Sequence, residues 1–234
     1  MSYNIALFDF DFTLADASAG IIESAQFAAR SMGIRVPGPD EIRRTIGMTL
    51  AGTYAALAND DDAVKAKEFV KLFVSKADEV MTKNTVFFPD ALETLARLQA
   101  HGVRTGIVTS KFRYRIEDAL TRENSLHLAE HIVGFEDVTK HKPDPESIWK
   151  AADFYGAREA LDKILFVGDS LFDAEGARNA GVPFAAVLNG TTPRADFMPL
   201  PHVLIADSLT EILDFILEGE SPCPSLGSHP SHGQ

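Results

Sequence analysis

Ile5-Ala6-Leu7-Phe8-Asp9-Phe10-Asp11-Phe12-Thr13-Leu14 is an apolar run that delivers two carboxylates at its end. Consecutive apolar residues from Ile5 to Phe8 leave no polar face, which predicts a strand covered on both sides, as in a parallel sheet. Asp9 then stands at the carboxyl end of that strand, where an acid has no packing role. Runs of the same kind recur at Val103–Val108, Ile164–Val167 and Val182–Val187, with weaker ones at His131–Gly134 and His202–Ile205. Helical stretches separate them. This alternation predicts an α/β fold, a doubly wound, mostly parallel sheet whose ligand site lies beyond the carboxyl ends of its strands.

Between Ser18 and Phe88 the alternation lapses. That interval holds helical patterns and no convincing strand, over a length far beyond one crossover. The expected organisation is a core domain from residues 1-17 and 89-218, with a small all-helical cap domain inserted at residues 18-88. Inside the insert, Ser18 is expected to cap a helix running toward Gly33. Val36-Pro37-Gly38-Pro39-Asp40 forms a turn and cap before Glu41-Ile42-Arg43-Arg44, and two more helices follow. Asp60-Asp61-Asp62 reads as a solvated helix start that complements the macrodipole rather than as a metal site. Pro89 is expected to open a helix ending at His101-Gly102. Beyond Glu218 the chain is poor in apolar residues. Residues 219-234 are therefore expected to be a disordered tail, with His229 and His232 inert.

Composition narrows the function. The 234 residues are 45% hydrophobic and carry a formal net charge of -12. A mean hydropathy of -0.03 suits a globular interior. So acidic a chain opposes binding to nucleic acid, whose phosphates are gripped by clustered Lys and Arg. No apolar stretch approaches the roughly 18 residues that cross a bilayer, so no membrane association is expected. Met1-Ser2-Tyr3-Asn4 lacks the basic and apolar regions of a secretory signal, and Cys223 is the single cysteine. A cytoplasmic location follows as the expectation, for a monomer or weak homodimer.

Four short segments carry chemistry. Asp9-x-Asp11 alone fits a turn, since Asp bonds its own backbone there. Val108-Thr109-Ser110-Lys111 brings a hydroxyl and free N–H groups to the same sheet edge. Lys140-His141-Lys142-Pro143-Asp144-Pro145 puts a cation before a helix, with Pro143 suited to its first turn. Val167-Gly168-Asp169-Ser170-Leu171-Phe172-Asp173 ends another buried strand with two more acids. Each segment has an ordinary capping or solvation reading. All four fall at strand ends or loops on one edge, and together they supply acids, hydroxyl and cation.

In order and wording, these pieces resemble the four motifs of the haloacid-dehalogenase-like superfamily: Asp9-x-Asp11-x-Thr13-Leu14, Thr109, Lys142-Pro143 and Gly168-Asp169-Ser170-x-x-Asp173. The resemblance covers about Asn4 to Leu217, nearest the phosphoglycolate-phosphatase-like branch with a helical cap. It implies Asp9 as the nucleophile that takes a phosphoryl group, and Asp11 as the acid and base that serves leaving group and water. Magnesium is implied on Asp9, Asp169 and the Asp11 carbonyl, with Asp173 in support. Lys142 and Thr109 would hold the phosphoryl oxygens. Thr13, Phe12, Ser110 and Arg44 are the expected contacts on the substrate side, Thr13 by fixing the Asp9 and Asp11 loop.

An Asp at position 11 separates this chain from the dehalogenase branch, which lacks the acid, and from P-type ATPases, which carry Thr there. The resemblance thus implies hydrolysis of a small phosphorylated metabolite. Most relatives have Gly where this chain has Phe12, which suits a working site provided its backbone avoids positive φ. A phosphomutase of the β-phosphoglucomutase type is the enzymatic alternative, disfavoured by the lack of histidine between Asp16 and Phe88. The other alternative is a noncatalytic protein reusing the fold.

Overall fold

A computed structural model describes residues 3–218, so the expectations for the tail and for His229 and His232 lie outside the described residues. The chain begins β1 (Ile5–Phe8), β2 (Ala15–Asp16), α1 (Ser18–Ser31), α2 (Pro39–Arg43), α3 (Leu50–Ala58), α4 (Ala63–Val80) and β3 (Val86–Phe87). It continues α5 (Ala91–Ala100), β4 (Arg104–Val108), α6 (Arg113–Arg122), β5 (His131–Val133), α7 (Glu146–Phe154) and β6 (Ile164–Gly168). It closes with α8 (Leu171–Ala180), β7 (Phe184–Val187), α9 (Arg194–Phe197), β8 (Leu204–Ala206) and α10 (Leu209–Glu218).

One six-stranded sheet runs β5-β4-β1-β6-β7-β8 with every neighbouring pair parallel. From β1 the chain steps outward to β4 and β5, then returns to the opposite side of β1 for β6. The strand order therefore reverses at β1, and the crevice beyond its carboxyl end is where such sheets bind ligands. Strand alternation sorts the core into two layers. Ala6 and Phe8 pack with Leu95 of α5, Ile116 of α6 and Ile212 of α10. Ile5 and Leu7 pack with Ile148 of α7, Ala174 of α8 and Phe197 of α9. Full burial of rings such as Phe8 and Phe166 stabilises the fold by roughly 1.5–3 kcal/mol each.

Helices α1 to α4 pack on one another around a separate cluster that includes Ala25, Ile42, Tyr54, Phe69 and Phe73. They join the sheet through a short antiparallel ladder, Ala15 opposite Phe87 and Asp16 opposite Val86. Two-residue strands have no readable period, so this ladder was not legible in the insert. Ser18 lies inside α1 and not ahead of it; the capping oxygen comes from Asp16, which accepts the Ser18 N–H at 2.7 Å. Glu41 accepts the Gly38 N–H at 2.7 Å and closes the turn before α2. Asp62 caps α4 through the N–H groups of Val64 and Lys65, while Asp60 bonds Lys65 and the Tyr54 hydroxyl. The Asp60–Asp62 acids thus have structural work in this turn. Helix α7 starts only at Glu146, which leaves Pro143 in the preceding loop instead of a first helical turn.

Candidate active site

Backbone pairing fixes the acids before their side chains do anything. The Asp9 N–H donates to the Val167 carbonyl at 2.8 Å, and the Thr109 N–H donates to Val133 at 3.0 Å. The carboxyl ends of β1, β4 and β6 therefore present Asp9, Thr109 and Asp169 at one edge. Lys142 reaches the same place from the loop before α7. Its Nζ lies 2.6 Å from Asp9 Oδ1, 2.6 Å from Asp173 Oδ1 and 3.4 Å from the Val108 carbonyl. Asp173, in the first turn of α8, also accepts the Ser170 N–H at 3.1 Å and the Ser170 hydroxyl at 2.5 Å. The Thr13 hydroxyl donates to Asp169 Oδ1 at 3.2 Å, tying the loop after β1 to the loop after β6.

Two glycines make this convergence possible. A Cβ on Gly168 would stand 2.5 Å from the Asp173 side chain, and one on Gly190 would stand 2.0 Å from Asp169 Oδ2. Gly190 follows β7 and carried no signal in the sequence, because the need for it appears only when the two loops meet.

Three buried carboxylates share one ammonium. Burial pushes the Asp9 carboxyl up to about 7; Asp173 and Asp11 add to the rise and Lys142 opposes it. Burial, then Asp173 and Asp9, hold Asp169 well above the ordinary carboxylate range. Burial alone would weaken the Lys142 ammonium, but Asp173 and Asp9 together outweigh it and raise its pKa. The cluster is short of positive charge. Asp9, Asp169 and Asp173 each offer an oxygen, and these oxygens lie within 4.8 Å of one another. A buried, all-oxygen, electron-rich set of this kind fits a hard divalent cation.

The mouth of the site is a cavity of about 290 Å³ between the sheet edge and helices α1, α3 and α4. Asp9, Asp11, Thr109 and Ser110 line it, whereas Lys142, Asp169 and Asp173 stand behind Asp9. Two cations that the sequence reading left without a role also line it. Lys111 Nζ lies 2.8 and 3.0 Å from the two Asp11 oxygens, and Arg115, on α6, is buried beneath the insert. Both follow Thr109 closely in sequence, which is the one signal that pointed to them.

Arg44 is exposed at the end of α2 and does not line the cavity; the same turn buries Ile42 in the core of the insert and sets Thr45 at the cavity wall. Phe12 is buried and off the cavity as well, so its ring does not narrow the pocket. Its φ is 60°, so the condition of a backbone that avoids positive φ is not met, and Phe12 adopts the left-handed conformation open to the glycine that most relatives have there. The turn demands that conformation: the Phe12 N–H donates to Ala15, while Thr13, Leu14 and Ala15 all donate to the Phe10 carbonyl.

Comparison with known proteins agrees with this geometry. Residues 6–187 match the profile of the haloacid dehalogenase-like hydrolases. Over 204 residues the chain is 30% identical to the phosphoglycolate phosphatase of Escherichia coli strain K12, covering 78% of this chain and 80% of that protein. Over 188 residues it is 31% identical to a protein of Caldanaerobacter subterraneus subsp. tengcongensis named as a pyrophosphatase, PpaX, covering 80% and 82%. The crystal structure of a haloacid dehalogenase-like hydrolase from Bacteroides fragilis superposes with a TM-score of 0.87 at 38% identity, over 90% of this chain and 100% of that one. With the match spanning β1 to β7 and every acid of the cluster, the chain belongs to the haloacid dehalogenase-like hydrolase family.

Proposed function

We propose that this phosphatase is magnesium-dependent and hydrolyses a small-molecule phosphate monoester through an aspartyl-phosphate on Asp9. The observation that carries the reading is the Lys142 ammonium, held 2.6 Å from both Asp9 and Asp173 with Asp169 alongside. That contact fixes one Asp9 oxygen and leaves the carboxylate facing the cavity, as an attacking group requires. Asp9, Asp169 and Asp173 would hold the metal. When bound, Mg2+ supplies the positive charge that offsets repulsion between the carboxylate and the incoming phosphate.

The remaining steps belong to the chain's own side chains. Asp11 lies at the cavity wall beside Asp9, suited to give a proton to the departing alcohol oxygen and later to take one from water. Lys111 holds the Asp11 carboxylate in place through both oxygens. Thr109 and Ser110 line the same space, where their hydroxyls are suited to bond nonbridging phosphoryl oxygens. Residues 18–88 act as the cap, whose closure over Asp9 excludes bulk water. Support for this comes from the cavity itself, which is bounded on one side by Gly47, Met48 and Phe73 of the insert.

Turnover of p-nitrophenyl phosphate with Mg2+ tests the mechanism. Wild type is expected to exceed Asp9→Asn by about 10³-fold or more. Equal turnover by the two proteins rules the aspartyl-phosphate out.

A further inference from the structure

The wall around the leaving-group half of the cavity is made of carbon. Ile46, Met48 and Leu50 contribute from the α2–α3 segment, Val70 and Phe73 from α4, and Phe112 from the core side. Several of the few polar groups present are already engaged, while the Thr53 and Ser110 hydroxyls and the His141 ring remain open to a ligand. The Thr45 hydroxyl donates to the Ile42 carbonyl at 2.8 Å, and the Thr49 hydroxyl accepts the Gly52 N–H at 3.1 Å as the cap of α3. Lys111 is paired with Asp11 and Arg115 with Asp78. His141 lies flat on Phe135, with ring centroids 4.1 Å apart, and burial lowers its pKa, so it adds no charge at neutral pH.

Such a chamber is costly for a polyol. Each hydroxyl taken from water into it without a partner loses its hydration, whereas a hydrocarbon surface gains by the same transfer. A volume of about 290 Å³ sits at the small end of small-molecule sites, so the group inside must be compact. We infer that the alcohol half of the substrate is a compact, apolar alkyl or aryl group rather than a sugar or glycerol, because the cap and Phe112 wall that half predominantly with carbon and leave few hydroxyl partners for a polyol. This inference rests on the phosphatase reading above and goes beyond it to the substrate class. It also separates this chain from a site shaped for a short hydroxy acid such as glycolate, because the positive charge of Arg115 is already partly offset by Asp78.

Steady-state kinetics with Mg2+ separates the possibilities. Benzyl phosphate and glycerol 1-phosphate are both esters of primary alcohols, so their comparison reports the wall and not leaving-group reactivity; phosphoglycolate is the third substrate. Benzyl phosphate is expected to exceed each of the others by about 100-fold in kcat/KM. Met48→Gln, nearly isosteric and on a half-buried loop, is expected to narrow the ratio between benzyl and glycerol esters by about tenfold. Calorimetry with Asp9→Asn should show the same order of affinities without turnover. Equal or faster hydrolysis of glycerol 1-phosphate or phosphoglycolate overturns the inference and leaves the phosphatase reading standing. No hydrolysis of any ester, p-nitrophenyl phosphate included, overturns both.

Discussion

Lys142 stands between two buried carboxylates, and its shape matters as much as its charge. An ammonium is a point donor able to lie 2.6 Å from both Asp9 and Asp173, while a planar guanidinium spreads its donors apart. Lys142→Met should therefore lower kcat by about 10³-fold, and Lys142→Arg should recover little of it. Recovery to within tenfold of wild type by the arginine variant would mean that only net charge is needed there. Phe12 poses the opposite problem, a favourable side chain on an unfavourable backbone. Its left-handed φ of 60° costs about 1–2 kcal/mol, offset by a ring only 5% exposed. Phe12→Gly relieves the backbone but empties the ring's site and loosens the unfolded chain. A net loss of roughly 1–3 kcal/mol in urea denaturation is expected, with kcat changed little. The residue itself did not disclose that φ, because an aromatic side chain is a poor signal for a conformation that glycine adopts freely; only the glycine of its relatives pointed to it.

Elements with a strong period were legible and those held by long-range contacts were not. The strands of the sheet announced themselves as apolar runs because both faces are covered, and three of the four motif segments fell at their ends, with Lys142 in the loop before α7. Lys111 and Arg115, by contrast, gain a role only when Asp11 and Asp78 arrive from distant segments. Asp78 on α4 accepts from Arg115 at 2.9 Å and from the Tyr114 hydroxyl at 2.6 Å, so helix α6 of the core grips the insert at one carboxylate. Asp78 is half exposed, which limits the ion pair to about 1 kcal/mol, yet its loss strands a buried guanidinium. Asp78→Ala should favour the open arrangement and lower kcat/KM about 3- to 10-fold, mainly through KM. A fall confined to kcat would place Asp78 in the chemistry and not in closure.

At the scale of the whole molecule, the crowded acids tie stability to pH and to metal. An unfolded Asp gives up its proton near pH 4. Asp9 in the fold holds its own to about 7, chiefly because it is buried, and Asp169 is raised in the same direction. Between those values the folded protein binds more protons than the unfolded chain, so its stability is complete below about pH 4 and declines as pH rises through 7. Burial holds His131 and His141 below their ordinary pKa, which works the other way, but both are only partly buried. The metal-free protein should thus melt roughly 5–10 °C lower at pH 8 than at pH 5.5. Asp9→Asn removes one of the three carboxylates and should flatten that slope. A magnesium ion held by the ionised cluster would compete with protons, so its stabilisation should be larger at pH 8 than at pH 5.5. Calorimetric melts with EDTA and with millimolar Mg2+ at the two pH values give the comparison directly. Metal-free protein that melts no lower at pH 8, or magnesium that stabilises more at pH 5.5, would mean that these carboxylates do not carry the strain assigned to them.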